Sequence, residues 1–187
     1  YFPKAVNAAN FCYQCTSLKK LGEVKTDAPS LNINQCVYNA TSLEEIISPV
    51  STTGTVGWGN YFISSNTTLT KITGEFDISC GAGLATIFPT NNTQNGITGT
   101  ITFKGLKAKF DFTGRSKVTS IRLTTPQTSM QSFNITNCGL GTSALNNLFT
   151  DLPTISNGST ITVIGNPGAL SCNTSIATKK GWNVVVK

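Results

Sequence analysis

The feature that most restricts this chain is a short recurring pattern: two apolar residues one apart, then Asn or Cys three positions after the second. It stands at Leu31-x-Ile33-x-x-Cys36, Tyr61-x-Ile63-x-x-Asn66, Phe133-x-Ile135-x-x-Cys138 and Ile161-x-Val163-x-x-Asn166. Two copies carry a longer form, Trp58-x-x-Tyr61-x-Ile63-x-x-Asn66 and Met130-x-x-Phe133-x-Ile135-x-x-Cys138-x-Leu140. The intervals from Leu31 to Tyr61 and from Phe133 to Ile161 are nearly equal, while the interval from Tyr61 to Phe133 is wide enough for three slightly shorter steps. Degenerate copies are therefore expected near Ile87 and Phe110, and Val184-x-Val186 supplies a last turn. Successive coils are expected to start at 31, 61, 87, 110, 133, 161 and 184.

Stacking explains such a pattern. Each coil offers a short strand whose alternate apolar side chains point inward. The Asn or Cys sits where the chain bends away, and an Asn there can satisfy backbone groups that would otherwise be buried unpaired. One coil cannot bury its own core, but stacked neighbours can. The expected fold is a leucine-rich-repeat-like β-solenoid, β-rich with short helices and a parallel sheet, over residues 31–187. Residues 1–30 are expected to form an N-terminal cap or attachment segment, mostly helical around Phe11 to Leu21.

The returns between strands support this division. Thr142-Ser143 followed by Leu145, Leu148, Phe149 and Leu152 has helical spacing, with Pro153 behind it. Asn173 to Lys180 reads as a short helix ended by Gly181, after which Trp182 is expected to cover the end of the stack. Ser42-Leu43-Glu44-Glu45 is a capping-box signature that predicts a helix up to Ile47. In the middle coils the returns read as strands, Phe76-x-Ile78, Ile101-x-Phe103 and Ile121-x-Leu123. The competing fold is an antiparallel β-meander or sandwich in 97–136, because the links there are short.

From Phe133 to Val186 the chain resembles the C-terminal coils of irregular leucine-rich-repeat proteins of bacterial surfaces and phages. The likeness is carried by Asn137-Cys138-Gly139-Leu140, Ala144 to Phe149, Leu152-Pro153, Ile164 to Ala169, and Ser175 to Thr178 with Lys180-Gly181-Trp182. It implies adhesion, recognition or assembly on a surface, and it carries over no catalytic residue.

Composition narrows the chemistry. Among 187 residues there is no histidine and only 12% are charged, against about 25% in an average soluble domain. No Ser-His-Asp or Cys-His pair can be drawn, and no histidine can bind a metal. The chain is therefore read as non-catalytic, with no cofactor and no metal. Its surface, poor in charge and rich in Thr and Asn, is similar to those of virion and cell-envelope proteins. The longest apolar run is a few residues, so no transmembrane segment is expected. Tyr1 in place of Met points to a removed leader or to residues further upstream. The net charge of +6 is read as a solvated basic face around Lys104 to Arg122 rather than a nucleic-acid surface. Six cysteines, at 12, 15, 36, 80, 138 and 172, permit three disulfides and serve equally well as small buried apolar side chains.

Within the solenoid, the residue between each inward pair faces the concave sheet, giving a column of Asn32, Phe62, Phe88, Asp111, Asn134, Thr162 and Val185. Phe62, Phe88, Asp111, Asn134 and Thr162 are the candidate binding residues, since exposed aromatics beside polar groups anchor interfaces. Cys36, Asn66, Cys138, Asn166 and Trp182 are assigned structural roles. Asp111 and Arg122 are candidates for an ion pair. The functional expectation is a structural or recognition module on a virion or cell surface, with phage tail or capsid attachment slightly ahead of a bacterial adhesin. Its partners are then other virion or surface proteins, copies of itself, or a host-surface protein or glycan. The other classes are a filament subunit and a glycan-degrading tailspike enzyme using Glu75 and Asp77.

Overall fold

In a computed structural model the structure describes residues 4, 6–47, 50–51, 55–57, 68–77, 96–106, 109–156 and 158–187. Every strand pairing in it is parallel. The chain winds as a β-solenoid of about five turns with few helices.

The first coils are three-sided. β1 (Lys20–Leu21), β2 (Lys25–Thr26) and β3 (Ser30–Asn32) lie on β4 (Glu45–Ile47), β5 (Val50–Ser51) and β6 (Thr55–Gly57) respectively. One offset serves all three sides, since Lys20 faces Glu45, Lys25 faces Val50 and Ser30 faces Thr55. β4 then pairs with β7 (Lys71–Thr73). Side chains alternate across a strand, so Leu21, Ile46 and Ile72, matched in register, turn inward and are buried. Lys20, Glu45 and Lys71 share the other face.

Beyond β8 (Glu75–Asp77), the described coils from residue 96 onward have two sides. The return side orders β8, β9 (Gly99–Lys104) and β11 (Val118–Thr124). The helix α1 (Thr142–Asp151) packs against β11, and α2 (Ser175–Thr178) packs against α1. The front side orders β10 (Lys109–Asp111), β12 (Ser132–Asn134), β13 (Thr160–Thr162) and β14 (Asn183–Val185). Phe110, Phe133, Ile161 and Val184 form one inward row across it. Between the two sides runs a chain of rings. Phe76 meets Phe103 at 6.3 Å, Phe103 meets Phe110 at 4.8 Å, and Phe110 meets Phe133 at 4.7 Å, all edge to face. Burying each such side chain contributes roughly 1.5–3 kcal/mol, so these rings hold the middle coils together.

Several expectations change. The antiparallel meander is excluded, because β9 and β11 run parallel, with Ile101 opposite Ile121. The strands expected at 31, 110, 133, 161 and 184 form, but Leu31 stacks on Val56 of β6 and not on position 61 as the repeat spacing predicted; residues 61 and 87 lie outside the described residues. In place of a helix around Phe11 to Leu21 there are turns and β1, because this stretch is the first coil. Ala8, Asn10, Cys12 and Gln14 donate their amides to Asn32, Asn34, Cys36 and Tyr38, and this ladder takes every second donor, leaving Phe11, Tyr13 and Cys15 to close isolated turns on Ala8, Asn10 and Cys12 instead of a continuous helix. The helix expected at Ser42–Ile47 is instead β4, for the same reason: the amides of Glu44 and Glu45 bond the carbonyl of Lys19.

The two expected C-terminal helices form. Gly181, at φ +88°, follows α2, and a Cβ there would collide with the carbonyl of Ile155. Trp182 is 2% exposed, and its indole N–H donates to the Pro153 carbonyl at 2.9 Å.

Candidate functional site

The front sheet is the surface on which the expected binding column can be tested. Asp111, Asn134, Thr162 and Val185 do stand in one register row, all half-buried on the outward face. Beside it Lys109, Ser132, Thr160 and Asn183 form a parallel row. Asn32 belongs to another sheet, opposite Gly57 on β6, and Phe62 and Phe88 lie outside the described residues.

Two of these side chains are committed to the fold. The Asp111 carboxylate accepts from the Thr113 amide at 3.0 Å and from its hydroxyl at 2.6 Å. Asn134 repeats this one coil later, its carbonyl oxygen accepting from the amide and hydroxyl of Thr136 at 3.2 and 2.7 Å. Each is an Asx turn that bends the chain out of its strand. The Asn134 amide also donates to Asp111 at 3.3 Å, which locks the two coils in register. The same turn occurs at Asn7 and Asn32, which accept from the amides of Ala9 and Asn34. What remains open on the front face is a field of small polar side chains held on a stiff backbone, Ser132, Thr160 and Thr162 above all.

Asp111 does not pair with Arg122. The two lie in different sheets, β10 and β11, so nearness in sequence does not bring them together. Arg122 instead forms a two-point pair with Asp151 at the end of α1, at 2.6 and 2.9 Å, and Asp151 also accepts from the Leu123 amide at 3.1 Å. This clamp fixes the helix to the return sheet, and it holds the guanidinium above its ordinary pKa.

Two of the residues given structural roles, Cys138 and Asn166, sit where the chain leaves the front sheet. Asn166 is buried; its amide donates to the carbonyls of Ile135 and Val163 at 2.8 and 2.9 Å, and its oxygen accepts from the Leu140 amide at 3.1 Å. Cys138, one coil earlier, places its thiol against the Phe112 carbonyl at 3.2 Å. Burial pushes this thiol up to about 11 and that of Cys36 to about 12. Asn66 lies outside the described residues. Cys12, Cys15, Cys36, Cys138 and Cys172 are free thiols, and only Cys15 among them is exposed. Among the described residues, no three His, Cys, Asp or Glu side chains are grouped to hold a metal ion. Nor, among those residues, is any helix long and apolar enough to cross a membrane.

The chain, set against protein-family models, curated proteins and solved structures, matches none of them.

A second set of residues escapes the sequence reading. Lys20 Nζ lies 3.2 Å from one Glu45 oxygen and Lys71 Nζ lies 3.1 Å from the other, while Lys19 lies 3.8 Å from Glu44. Charge thus alternates down three coils on the face of β1, β4 and β7. The Lys71 and Lys20 contacts hold the Glu45 carboxyl below its usual range. A signal for this is present in the sequence. Tyr13-Gln-Cys-Thr-Ser-Leu-Lys-Lys-Leu21 aligns without a gap on Tyr38-Asn-Ala-Thr-Ser-Leu-Glu-Glu-Ile46, the offset that the strand register adopts. Its repeating residues are mostly polar, so a search for apolar spacing passes over it.

Proposed function

We propose that this chain is a non-catalytic recognition and assembly module displayed on a virion or cell surface, with attachment to a phage tail or capsid placed ahead of a bacterial adhesin. The observation that supports it is the front sheet. Between Lys109 at one edge and Val185 at the other, its outward side chains are short and polar, and the parallel ladder between coils fixes them in register, so a partner meets them at little cost in ordering. The C-terminal coils are read as leucine-rich-repeat-like, because a buried Asn or Cys closes each strand exit and the returns there are helices.

The test has two arms. Quantitative mass spectrometry of purified particles is expected to find the chain at a fixed copy number. Ser132→Arg with Thr162→Arg is expected to weaken attachment to the particle, or binding to the host surface, by about tenfold or more. The change in stability should stay within about 0.5 kcal/mol, as is usual for surface positions. Unchanged binding by the double variant overturns the assignment of this face. Depolymerisation of host polysaccharide by the purified chain, lost in Glu75→Gln, overturns the non-catalytic reading.

A further inference from the structure

We propose that Cys12 and Cys15 are a paired thiol site that closes to a disulfide by exchange with a small-molecule disulfide of the glutathione type, and that the bond fastens the first coil to the second. This chemistry is independent of the function proposed above: it needs only two thiols brought together by one turn.

The two residues stand at the ends of a four-residue turn. The Cys15 amide donates to the Cys12 carbonyl at 3.3 Å, and Gln14, in third place, has φ +56°, a left-handed angle that closes such a turn. A turn brings its end Cα atoms within about 7 Å, and a disulfide spans about 4.4–6.8 Å between Cα atoms, so closure asks little of the backbone. The thiols already meet, that of Cys15 being hydrogen-bonded to that of Cys12.

The second coil shows the same turn filled by packing alone. The gapless match of the two coils sets Val37 at the place of Cys12 and Ala40 at that of Cys15. The Ala40 amide donates to the Val37 carbonyl at the same 3.3 Å, and Asn39 has φ +57°. Val37 and Ala40 are fully buried. The backbone therefore builds this turn without sulfur, and the first coil adds a thiol at each end.

A third thiol lies close by and is held out of the exchange. Cys36 is fully buried, its sulfur bonded by the amides of Cys12 and Phe11, and burial pushes it up to about 12. Exchange needs a thiolate, and at neutral pH Cys36 supplies almost none. Cys12 is raised as well, by burial and then by the neighbouring Cys15 thiol, so Cys15 attacks first. Its thiolate, the proton passing to solvent, displaces one glutathione thiolate from glutathione disulfide. Cys12 then gives up its proton and displaces the second glutathione from Cys15. Two S–H bonds in the chain and one S–S bond in the oxidant become one S–S bond in the chain and two glutathione thiols. The dithiol is oxidised by two electrons and the glutathione disulfide is reduced by two.

This turn is also where the first coil grips the second. Cys12 and Gln14 donate to the carbonyls of Cys36 and Tyr38 at 2.7 and 2.9 Å, and Tyr13 stacks on Tyr38 with ring centres 5.4 Å apart. A covalent bond across the turn holds both donors and the ring in place.

The test equilibrates the reduced full chain in glutathione buffers of stepped ratio, quenches with acid, alkylates the remaining thiols, and reads intact mass and peptide maps. The chain should lose the mass of two hydrogens, with the link mapped to Cys12 and Cys15. Cys12→Ser should instead retain one glutathione on Cys15, because no thiol displaces it; should that variant not fold, Cys12→Val, the residue of the second coil, takes its place. The equilibrium constant for closure should be about tenfold larger in the native chain than in the urea-unfolded one, since the fold prebuilds the turn. By linkage the oxidised chain should then unfold at higher urea, with slower hydrogen exchange at the Cys12 and Gln14 amides. A link from Cys12 to Cys36, no closure in excess glutathione disulfide, or equal closure in native and unfolded chain overturns the proposal.

Discussion

The first coils and the last coils are stacked by the same parallel ladder but held in register by different chemistry. Around β1, β4 and β7 the polar side-chain contacts between coils include exposed ion pairs and hydroxyl bonds near the surface, such as Thr68 to the carbonyls of Thr41 and Leu43 at 2.9 Å each. From β12 onward buried or partly buried bonds are added to exposed ones: Asn166 to Ile135, Ser159 to Met130 at 2.6 Å, Trp182 to Pro153 and Lys180 to Leu152 at 2.7 Å, beside the exposed bond from Lys180 to Thr150. The difference follows from coil length. Where one offset serves all three sides, identical positions meet and short surface pairs suffice. On the front sheet Lys109 faces Ser132, Ser132 faces Thr160 and Thr160 faces Asn183, so the middle step is longer than its neighbours. The returns are then unequal, and interior polar groups must tie them down. Regularity in sequence and strength of the interior bonds thus trade places along the ribbon.

This contrast can be broken by substitution. Trp182→Ala should have the largest effect, roughly 3–5 kcal/mol as for other buried aromatics, read as a drop in the urea midpoint with the C-terminal helices exchanging first. A loss under about 1 kcal/mol, well below the usual range for such a truncation, would mean that the last coil does not rely on its interior. Asn166→Ala comes next, at about 3 kcal/mol, because it strands buried carbonyls of Ile135 and Val163 and the Leu140 amide. Here Asn166→Asp is the sharper control: it keeps the acceptor for Leu140 and removes both donors.

A third measurement acts on both halves. The Cys36 and Cys138 thiols are raised from 9.0 to about 12 and about 11. A raised acid binds its proton more tightly in the fold than in the unfolded chain, so its contribution is whole below pH 9 and is lost as pH climbs through the folded values. Melting temperature should therefore fall between pH 9 and 12, and Cys138→Ala should flatten the C-terminal part of that fall. In native protein a thiol reagent should label Cys15 well before Cys36 or Cys138, as peptide mapping would show. Glu45→Gln should give the smallest change, a slight destabilisation that shrinks toward nothing near 1 M salt, where screening acts over about 3 Å. An equal loss at high and low salt would contradict the picture of an exposed ladder.

What the sequence disclosed follows the same division. Phe133, Ile161 and Val184 announced the front sheet because each is an apolar residue at a strand centre. Leu145, Leu148 and Phe149 announced α1 because helical spacing survives without neighbours. Ser42 to Glu45 misled because a capping box describes only a chain's own donors, and here the donors of Glu44 and Glu45 bond Lys19 in the preceding coil. Arg122 found Asp151 rather than Asp111 because alternate sides of a coil carry alternate segments of sequence. The front-face row was legible from the strand period, but not that Asp111 and Asn134 close turns, since that depends on the hydroxyls of Thr113 and Thr136 two places on.

The return side changes from strands to helices between β11 and α1, while the front side stays strand throughout. Neighbouring strands sit about 4.8 Å apart, and a helix with its side chains is about 10 Å across. Two helices laid side by side therefore need more room along the stack than the strands they back, a mismatch that bending with Thr160 and Thr162 on the inner side would relieve.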